Sequence, residues 1–574
     1  NYINPISAGA DNHYYFALKD TIYGSSLGDT TFVISFKPQS GRNFDGMKGL
    51  LYINNYLWAI QNVIAEPARP NEAFEMKIQQ MYKLIDGKQW FPVQLNTDIT
   101  FNRINMNKVK PMGIGKSYRR DIRLDSSVVK RDMTNIALEV VPQASHQDEL
   151  FWQRYRVDSL TLREINTYKV IDSLGRVNNF DAKVKGLTSL MSGKIPLGYL
   201  EMDLNRLFRY SHYEGFYAGL GLHTSDKVSR FIKAGGFWGY GFKDKETKYG
   251  ADILLRLHRF DHLTLGFKYA NDLEESAGVH FFDDNLSAFN PQNFRNVFIN
   301  RMDKVETREI LLRFRMLRYV QAGLGIDQSY KTPAFNYLFV QYPEEPIVLT
   351  SSHTFGKIKA GFKFAYGEKF IQTAENQASL GTKFPVFWAQ FTASRNGFLN
   401  GGFDYNRIDF KLLYSVYTRF MGNTNFMLIG GAIDQPAPYS EMINGMGSSN
   451  NTFTIYASPG FTTMQADEFI NDHFAALFIT HSFGKLLFRS PYFEPELAIA
   501  FNAGAGSLKE TWHHRYADFK TMERGYFEGG LLVNNLIKSS FSGLGLAVFS
   551  RAGAYSYPKF AKNLVIRLTM NYTF

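Results

Sequence analysis

The chain has 574 residues, no cysteine and a formal net charge of +11. The lack of thiols excludes disulfide bonds and thiolate metal ligands, and no stretch approaches the roughly 20 consecutive apolar residues of a membrane-spanning helix. Aromatic residues make up 16% of the chain, which is typical of outer-membrane barrels with aromatic girdles. The positive charge admits nucleic acid, but the basic residues are scattered and no nucleic-acid motif occurs, so we expect no nucleic-acid partner.

Residues 1–125 have the pattern of strands separated by turns, as in TTFVISFKP from Thr30 onward. The DGK triplet at 86–88 predicts a hairpin turn between two such runs. We therefore predict a periplasmic β-rich domain. It is expected to be incomplete at its start, because the chain begins with Asn1 and no signal segment follows. The aromatic stretch from Trp90 to Pro92 fits either a groove for an apolar ligand or ordinary core.

Residues 126–194 have a helical pattern. Thr161 and Glu164 have the spacing of a capping box, in which the hydroxyl accepts a backbone N–H and the carboxylate reaches back to the start of the helix. The segment HQDELFWQRYR predicts a second, shorter helix. We interpret this region as a short helical connector.

Residues 195–574 predict a transmembrane β-barrel. The last eleven residues, LVIRLTMNYTF, alternate between apolar and mostly polar positions, and a transmembrane strand needs about 9–11 residues of this kind. Similar alternation occurs in GADILLRLH, EILLRFRM, FKLLYSVYTRF and GFYAGLGLH. The fold class is therefore all-β, with an antiparallel barrel whose charged side chains face the lumen.

The pattern predicts about sixteen barrel strands, an even number as in single-chain bacterial barrels. The ranges are 197–208, 214–225, 229–243, 247–258, 261–270, 305–316, 318–330, 353–366, 383–393, 405–419, 424–434, 472–483, 493–503, 525–535, 541–553 and 562–574. Most long connections follow odd-numbered strands, whereas those after even-numbered strands are mostly short and 367–382 is an exception. Short periplasmic turns and long outer loops have this asymmetry, which places both chain ends on the periplasmic side.

Several stretches together resemble a family of Bacteroidota outer-membrane proteins of unassigned function. They are RVDSLTLREINTYKVIDSLGRV at 156–177, KIPLGYLEMDLN at 194–205, QPAPYSEM at 435–442 and GFTTMQADEFINDHFAALFITHSFGKLLF at 460–488. The resemblance implies a carboxypeptidase-regulatory-like domain, which in that family usually precedes a region of this kind. It implies fold and location rather than an activity.

The predicted architecture is distantly similar to the BamA/TamA superfamily of barrel-assembly and secretion proteins. That resemblance implies a long loop after strand eleven, with a Val-Arg-Gly-Phe-type motif whose arginine contacts acidic residues inside the barrel. Here no Lys or Arg occurs between Arg419 and Lys485, so the motif's arginine is missing. The loop offers Glu468 and Asp472 instead, and we expect these carboxylates to meet lumen arginines such as Arg313, Arg315 or Arg567, unless both are simply solvated.

A surface enzyme is the main catalytic alternative. His513 and His514 lie in a predicted outer loop with Ser507 and Asp518, but no nucleophile-elbow pattern accompanies them. Two adjacent histidines without a second spaced ligand do not predict a metal site. We therefore expect no metal, no cofactor and no catalytic residue.

These observations predict an integral outer-membrane protein with a periplasmic N-terminal region. The leading function is noncatalytic, in protein assembly, translocation or transport, and a larger envelope complex is one possible setting. A passive or ligand-gated channel and a surface enzyme stay open as alternatives. Expected partners are outer-membrane lipid, lipopolysaccharide and the barrel-assembly machinery, for which Tyr572 and Phe574 resemble the terminal aromatic assembly signal.

Overall fold

The computed structural model describes most of the chain. The described residues are 3–24, 29–39, 46–69, 74–102, 110–124, 133–141, 143–144, 147–177, 179, 186, 189, 193–258, 262–283, 295, 297–342, 348–373, 377–418, 421–449, 455–456, 459–484, 495–538 and 542–572. They divide into two compact units, Asn1–Thr134 with Asp148–Ser159 and Asn135–Gln147 with Leu160–Phe574. The periplasmic position of the first unit stays a prediction.

The first unit is an antiparallel sheet of seven strands that pair in chain order. Its strands are β1 Tyr14–Tyr23, β2 Thr30–Pro38, β3 Met47–Asn54, β4 Ile60–Pro67, β5 Phe74–Ile85, β6 Gln89–Phe101 and β7 Met112–Tyr118. Tyr14, Phe36, Leu51 and Ala65 form its buried apolar core. A meander of this kind needs only short connections, which agrees with the turn-separated strands expected from the sequence.

The predicted hairpin turn is present between β5 and β6. Asp86 and Gly87 have φ angles of 50° and 66°, and the Lys88 N–H donates to the Ile85 carbonyl at 2.9 Å. Two consecutive positive φ angles define the turn type whose twist matches that of a β-hairpin. Trp90 follows on β6 and is half-buried, so the structure leaves both interpretations of the Trp90–Pro92 stretch open.

Two α-helices follow, α1 Glu149–Tyr155 in the first unit and α2 Leu162–Val177 in the second. The capping box of α2 is confirmed, because the Thr161 N–H donates to Glu164 Oε2 at 2.7 Å and the Glu164 N–H donates to Thr161 Oγ1 at 3.3 Å. Among the described residues, no helix has the length and apolarity required to cross a membrane.

The second unit is built mainly from strands. These are β8 Ile136–Glu139, β9 Lys194–Leu197, β10 Leu200–Asp203, β11 Phe208–Ser211, β12 Gly215–Thr224, β13 Ile232–Gly241, β14 Thr247–Arg256, β15 Leu263–Glu275, β16 Met302–Leu317, β17 Val320–Pro333, β18 Leu338–Tyr342, β19 Val348–Thr350, β20 His353–Ala365, β21 Phe370–Gln372, β22 Gln377–Ser379, β23 Val386–Ser394, β24 Tyr405–Thr418, β25 Gly422–Ile433, β26 Ile443–Asn444, β27 Gly447–Ser449, β28 Phe461–Gln465, β29 Ile470–Asn471, β30 His473–Gly484, β31 Glu496–Ser507, β32 His514–Arg515, β33 Tyr526–Lys538, β34 Ser542–Ala552 and β35 Leu564–Tyr572.

Most of these strands form one closed barrel, which confirms the predicted fold class. In the described part of the chain the ring contains eighteen segments, namely all strands from β9 to β35 except β18, β19, β21, β22, β26–β29 and β32. Every predicted range from 214 onward overlaps one ring strand, whereas the start of the ring is divided among the short segments β9, β10 and β11. The predicted count of about sixteen strands is therefore not confirmed.

The alternation of the closing strand is present in the structure. Ile566, Leu568 and Met570 on β35 are exposed, whereas Arg567 and Thr569 between them are buried. A soluble protein has the opposite distribution, with apolar residues inside and polar residues outside. The barrel therefore has an apolar exterior and a polar interior.

The two ends of the barrel differ in the length of their connections. The end that we call the loop end has four long connections, 276–301, 334–352, 434–472 and 508–525. The other end, which we call the turn end, has short ones such as 225–231, 257–262 and 318–319. The predicted exception is the connection 366–385, in which β21 and β22 form a small sheet with β8. That long turn thus provides a pairing site for the chain that precedes the barrel.

Candidate functional site

The connection 434–472 between β25 and β30 is called the inner loop here, and its described residues fold into the barrel. Its residues 437–448 are all buried. Tyr439, Ile443, Phe461 and Phe469 belong to one apolar cluster with Tyr526 of β33 and other residues of the wall. Because large aromatic and aliphatic side chains of the loop are withdrawn from water against the wall, the loop is a packed part of the lumen.

The first polar anchor of the inner loop is Glu441. Its Oε1 lies 3.2 Å from Lys331 Nζ of β17 and 3.0 Å from Lys357 Nζ of β20, and the Tyr405 hydroxyl donates to its Oε2 at 2.7 Å. The Arg407 guanidinium donates to the Glu441 carbonyl at 2.9 Å. Burial alone raises the pKa of Glu441, but the three cations outweigh burial and hold that pKa well below its usual range. Glu441 is therefore a charged group that ties the loop to three wall strands.

The second polar anchor is Glu468, which meets Arg551 at the end of β34. Arg551 donates from Nη1 to Glu468 Oε1 at 2.9 Å and from Nη2 to Glu468 Oε2 at 2.8 Å. The same guanidinium donates to the Thr463 carbonyl at 2.5 Å, and Lys520 Nζ lies 2.9 Å from Glu468 Oε1. Burial raises the pKa of Glu468, but the hydrogen bonds and charges of Arg551 and Lys520 give a net lowering. A two-pronged pair of this kind fixes both distance and orientation.

Glu528 of β33 holds the segment next to this anchor. Its two carboxylate oxygens accept the backbone N–H groups of Thr462 and Thr463, each at 2.8 Å. Asn502 of β31 donates to the same carboxylate at 2.7 Å. Backbone groups of β28, which would otherwise lack partners in the lumen, are thus satisfied by the wall.

The expected partners of Glu468 need correction. Glu468 does meet a lumen arginine, but the arginine is Arg551 and not Arg313, Arg315 or Arg567. Arg567 reaches the inner loop through Ser449, to which it donates at 2.8 Å, while Arg315 lies 3.8 Å from Glu368. Arg313 lines a cavity in the lumen. The loop thus supplies the carboxylate and the wall supplies the arginine, the reverse of the contact implied by the BamA/TamA resemblance.

Asp472 also has partners other than the predicted ones. It accepts hydrogen bonds from the Lys509 N–H at 2.9 Å and the Ser507 hydroxyl at 3.2 Å, and its Oδ1 lies 2.8 Å from His473 Nδ1. It joins the end of the inner loop to the connection between β31 and β33. The expected contact with a lumen arginine is therefore wrong for this residue.

The alternation of residues along β34 predicts that Arg551 faces the lumen, although only other arginines are among the predicted partners of the inner loop. Ala547, Phe549 and Arg551 alternate along β34, and all three are buried on its lumen side. Asp327, Ser329 and Lys331 do the same along β17. The period of two therefore predicts which bases face the lumen, although it does not predict which acid each will meet.

Residues 280–283 of the connection 276–301 also enter the lumen from the loop end. Gln390 of β23 donates to the His280 carbonyl and accepts from the Phe282 N–H, both at 2.9 Å. Trp388 donates through Nε1 to Asp283 at 2.9 Å. A methyl group on either Gly323 or Gly361 would collide with Phe282, so these two glycines make room for its ring. Beside this segment lies a lumen cavity of about 960 Å³ whose lining includes Arg313, Lys359 and Glu441.

The candidate catalytic residues have separate partners. Ser507 donates to Asp472, and His513 Nε2 lies 2.9 Å from Glu510. His514 Nδ1 lies 2.8 Å from the Tyr337 hydroxyl, and the carbonyl of Asp518 accepts from Arg301. The contacts of these four residues in the structure do not form a nucleophile–base–acid chain.

The other site predictions concern metal and the chain end. Within the described ranges, no three residues of the types His, Cys, Asp and Glu are grouped so as to hold a metal ion. Tyr572 is the last residue of β35 and pairs with Ser542 in the sheet register. Its side chain and the whole of Phe574 lie outside the described residues, so the assembly signal stays a prediction.

Solved structures that resemble the chain include outer-membrane β-barrel proteins. BamA from Haemophilus ducreyi lacking POTRA domains 1–3 is 8% identical, with a TM-score of 0.41 and coverage of 63% of this chain and 69% of that one. CdiB from Escherichia coli is 9% identical, with a TM-score of 0.36 and coverage of 65% and 62%. OccK11 from Pseudomonas aeruginosa is 12% identical, with a TM-score of 0.27 and coverage of 65% and 93%.

A comparison with curated proteins finds no match. Two family models match the sequence, both of unknown function. The model described as family of unknown function DUF5686 matches residues 1–110, and its C-terminal domain model matches residues 199–521, which is more than half of the chain. The chain therefore belongs to the DUF5686 family.

Proposed function

We propose that the chain is a noncatalytic, integral outer-membrane β-barrel protein that acts in protein assembly, translocation or transport with its lumen held shut by the inner loop. The observation that supports this most directly is the two-pronged pair between Glu468 and Arg551 inside the barrel. A lumen that contains a loop anchored to the wall by buried charges differs from the unobstructed lumen of a passive channel. The N-terminal unit would then lie in the periplasm.

The exterior of the barrel supports a membrane location. Ile310, Ile326 and Ile358 lie side by side on β16, β17 and β20 and are 44%, 43% and 48% exposed. Such a row across neighbouring strands would be costly in water, whereas it suits the hydrocarbon region of a bilayer. We infer that these strands cross the outer membrane.

Replacement of Ile326 by Lys tests the membrane location. A cation on the lipid-facing side near the membrane centre is expected to lower the free energy of unfolding in lipid vesicles by about 2–4 kcal/mol. Folding titrations in urea with vesicles would measure this change. Ile22→Lys is the matched control, since Ile22 is equally exposed on β1 of the first unit and should change stability little. Equal, small effects at both positions would contradict the membrane location.

Single-channel conductance of the purified protein in planar bilayers tests the closed lumen. We expect no steady current from the wild-type protein, since the inner loop and the segment around Phe282 both occupy the lumen. A passive channel is the second candidate function, favoured by the 960 Å³ cavity with its charged lining. Steady ohmic current from the unaltered protein would favour the channel and contradict the closed lumen.

The proposed partners are outer-membrane lipid, lipopolysaccharide, the barrel-assembly machinery during biogenesis and an envelope protein complex. The carboxylates of the inner loop, Glu441 and Glu468, form their ion pairs with bases of the same chain. Native co-purification in mild detergent, with Arg551→Leu as the comparison, tests whether a partner depends on the closed inner loop. Recovery of the same partners from both proteins would indicate that the inner loop plays no part in recruiting them.

A further inference from the structure

Three histidines are buried together at the loop end of the barrel. His353 starts β20, and His513 and His514 lie next to each other before and within β32. All three rings surround Phe339 of β18, at centroid distances of 6.2, 5.1 and 5.8 Å. Imidazole is the side chain whose charge changes in mildly acidic water when it is exposed, and burial shifts that change to lower pH.

His513 has acceptors at both ring nitrogens. Its Nδ1 lies 2.6 Å from the Val340 carbonyl oxygen and its Nε2 lies 2.9 Å from a carboxylate oxygen of Glu510. A carbonyl oxygen accepts only, and so does an ionised carboxylate. His513 is thus held in place by acceptors on both sides of its ring.

His514 belongs to a hydrogen-bonded chain that ends in the inner loop. The Tyr439 N–H donates to the Tyr337 hydroxyl oxygen at 2.9 Å, and that hydroxyl lies 2.8 Å from His514 Nδ1. Of these two partners only His514 Nδ1 can accept a hydrogen, so the arrangement that gives the Tyr337 hydroxyl hydrogen an acceptor is donation to His514 Nδ1. His514 must then accept at Nδ1, which requires the neutral ring with its hydrogen on Nε2.

We propose that His514, Tyr337 and Tyr439 form a proton-sensitive latch that holds the inner loop closed at neutral pH and weakens in acid. Protonation of Nδ1 replaces the acceptor by a donor, so the Tyr337 hydroxyl hydrogen loses its acceptor at this contact. Tyr439 is two residues from Glu441, the first polar anchor of the inner loop. The latch thus connects the connection 508–525, which contains His514, to the inner loop that occupies the lumen. It does not depend on which molecule the barrel transports.

The other groups near the latch do not neutralise a charged His514. Tyr337, Phe339 and Phe519 contact its ring, and the titratable neighbours His353 and His513 would add like charge. Glu510 is already bonded to His513. Arg301 donates to the Tyr439 hydroxyl at 2.9 Å. Glu441 is shared by Lys331 and Lys357.

The direction of the pH dependence follows from the burial of His514. Burial first, and then the nearby His513 and His353, lower the pKa of His514 to about 3, from 6.5 for an exposed imidazole. Opening returns the ring to water and raises its pKa, so opening takes up a proton and is favoured as the pH falls. The equilibrium constant for opening is expected to rise about tenfold per pH unit between about pH 6 and about pH 3.

Hydrogen–deuterium exchange of the inner-loop peptide 435–448 in lipid nanodiscs tests the latch. Rates at pH 7.5 and pH 4.5 are each divided by the intrinsic exchange rate of the unstructured peptide. We expect wild-type protection to fall by about a factor of ten or more at pH 4.5. His514→Asn keeps an acceptor near the Nδ1 position and cannot be protonated, so its protection should stay unchanged. His258→Asn, an exposed histidine at the turn end, should behave like wild type.

Two further variants keep the result decisive. Tyr337→Phe removes the linking hydroxyl, so 435–448 should already be less protected than in the wild type at pH 7.5. His353→Asn should keep the wild-type response, and loss of the response in this variant alone would move the switch to His353 and overturn the proposal. A response that is equal in wild type and His514→Asn, or absent from both, also overturns it.

Discussion

Arg551→Leu is expected to give intermittent ion currents from a barrel that is silent in its wild-type form. The Arg551 and Glu468 side chains are only 1% and 5% exposed, so removal of the arginine leaves a buried carboxylate with Lys520 as its remaining ion-pair partner. Loss of one member of a buried pair costs about 3–5 kcal/mol. The carbonyl of Thr463 loses its donor as well. Release of residues 461–468 from the wall is the cheapest way to hydrate these groups.

Single-channel recordings and limited proteolysis of the same preparation measure this release. Arg551→Lys keeps the charge but not the two-pronged geometry, and we expect it to be intermediate. Arg308→Leu is the matched control, because Arg308 forms a solvent-exposed pair with Glu306 and such pairs contribute little. Partial restoration of silence in the exchanged pair Glu468→Arg with Arg551→Glu would assign the effect to the pair itself. Unchanged silence of Arg551→Leu would show that this pair does not hold the loop.

The faces of the barrel strands could be predicted from the sequence because alternation depends only on the local chain. Along β35, Ile566 and Leu568 face outward, and Arg567 faces inward between them. Alternate residues of a barrel strand face the lumen and the exterior, so a charged residue in the strand identifies which of the two sets faces the lumen. The same rule places Arg551 in the lumen, although Arg551 is not among the predicted site residues.

The pairing of acids with bases could not be predicted in the same way. Glu468 and Arg551 are 83 residues apart in the chain, and several wall bases compete for each loop carboxylate. Which base is met depends on the depth to which the inner loop descends, and that depth depends on the packing of Phe461 and Phe469 against Tyr526. Packing of this kind involves distant strands and has no local signal in the sequence.

The two adjacent histidines show a further limit of local patterns. Their position in a loop makes His513 and His514 candidates for catalytic or metal-binding groups. In the structure His513 bonds to Val340 and Glu510, whereas His514 bonds to Tyr337. Adjacent histidines thus have different hydrogen-bond partners, which come from distant parts of the chain and have no local signal in the sequence.

Glu441→Gln is expected to weaken the other anchor of the inner loop. The amide keeps the size of the side chain but removes the charge that faces Lys331 and Lys357, while these lysines retain Glu274 at 3.5 Å and Asp327 at 3.3 Å. Because each base keeps one acid, the cost should lie at or below the lower end of the range for a broken buried pair, about 2–3 kcal/mol. We expect brief openings in bilayer recordings and faster hydrogen exchange at 437–444.

The double variant Glu441→Gln with Glu468→Gln separates two arrangements of the anchors. If both anchors hold the loop in parallel, the lumen opens fully only when both are weakened, so each single variant gives brief openings and the double variant gives a steady current. The coupling would then appear as a departure from additivity in the fraction of time spent open. A steady current from Glu441→Gln alone would mean that the Glu468 contact cannot hold the loop closed once the Glu441 contact is weakened. Because the two carboxylates contact different strands, β17, β20 and β24 for Glu441 and β34 for Glu468, the parallel arrangement is the one that the geometry favours.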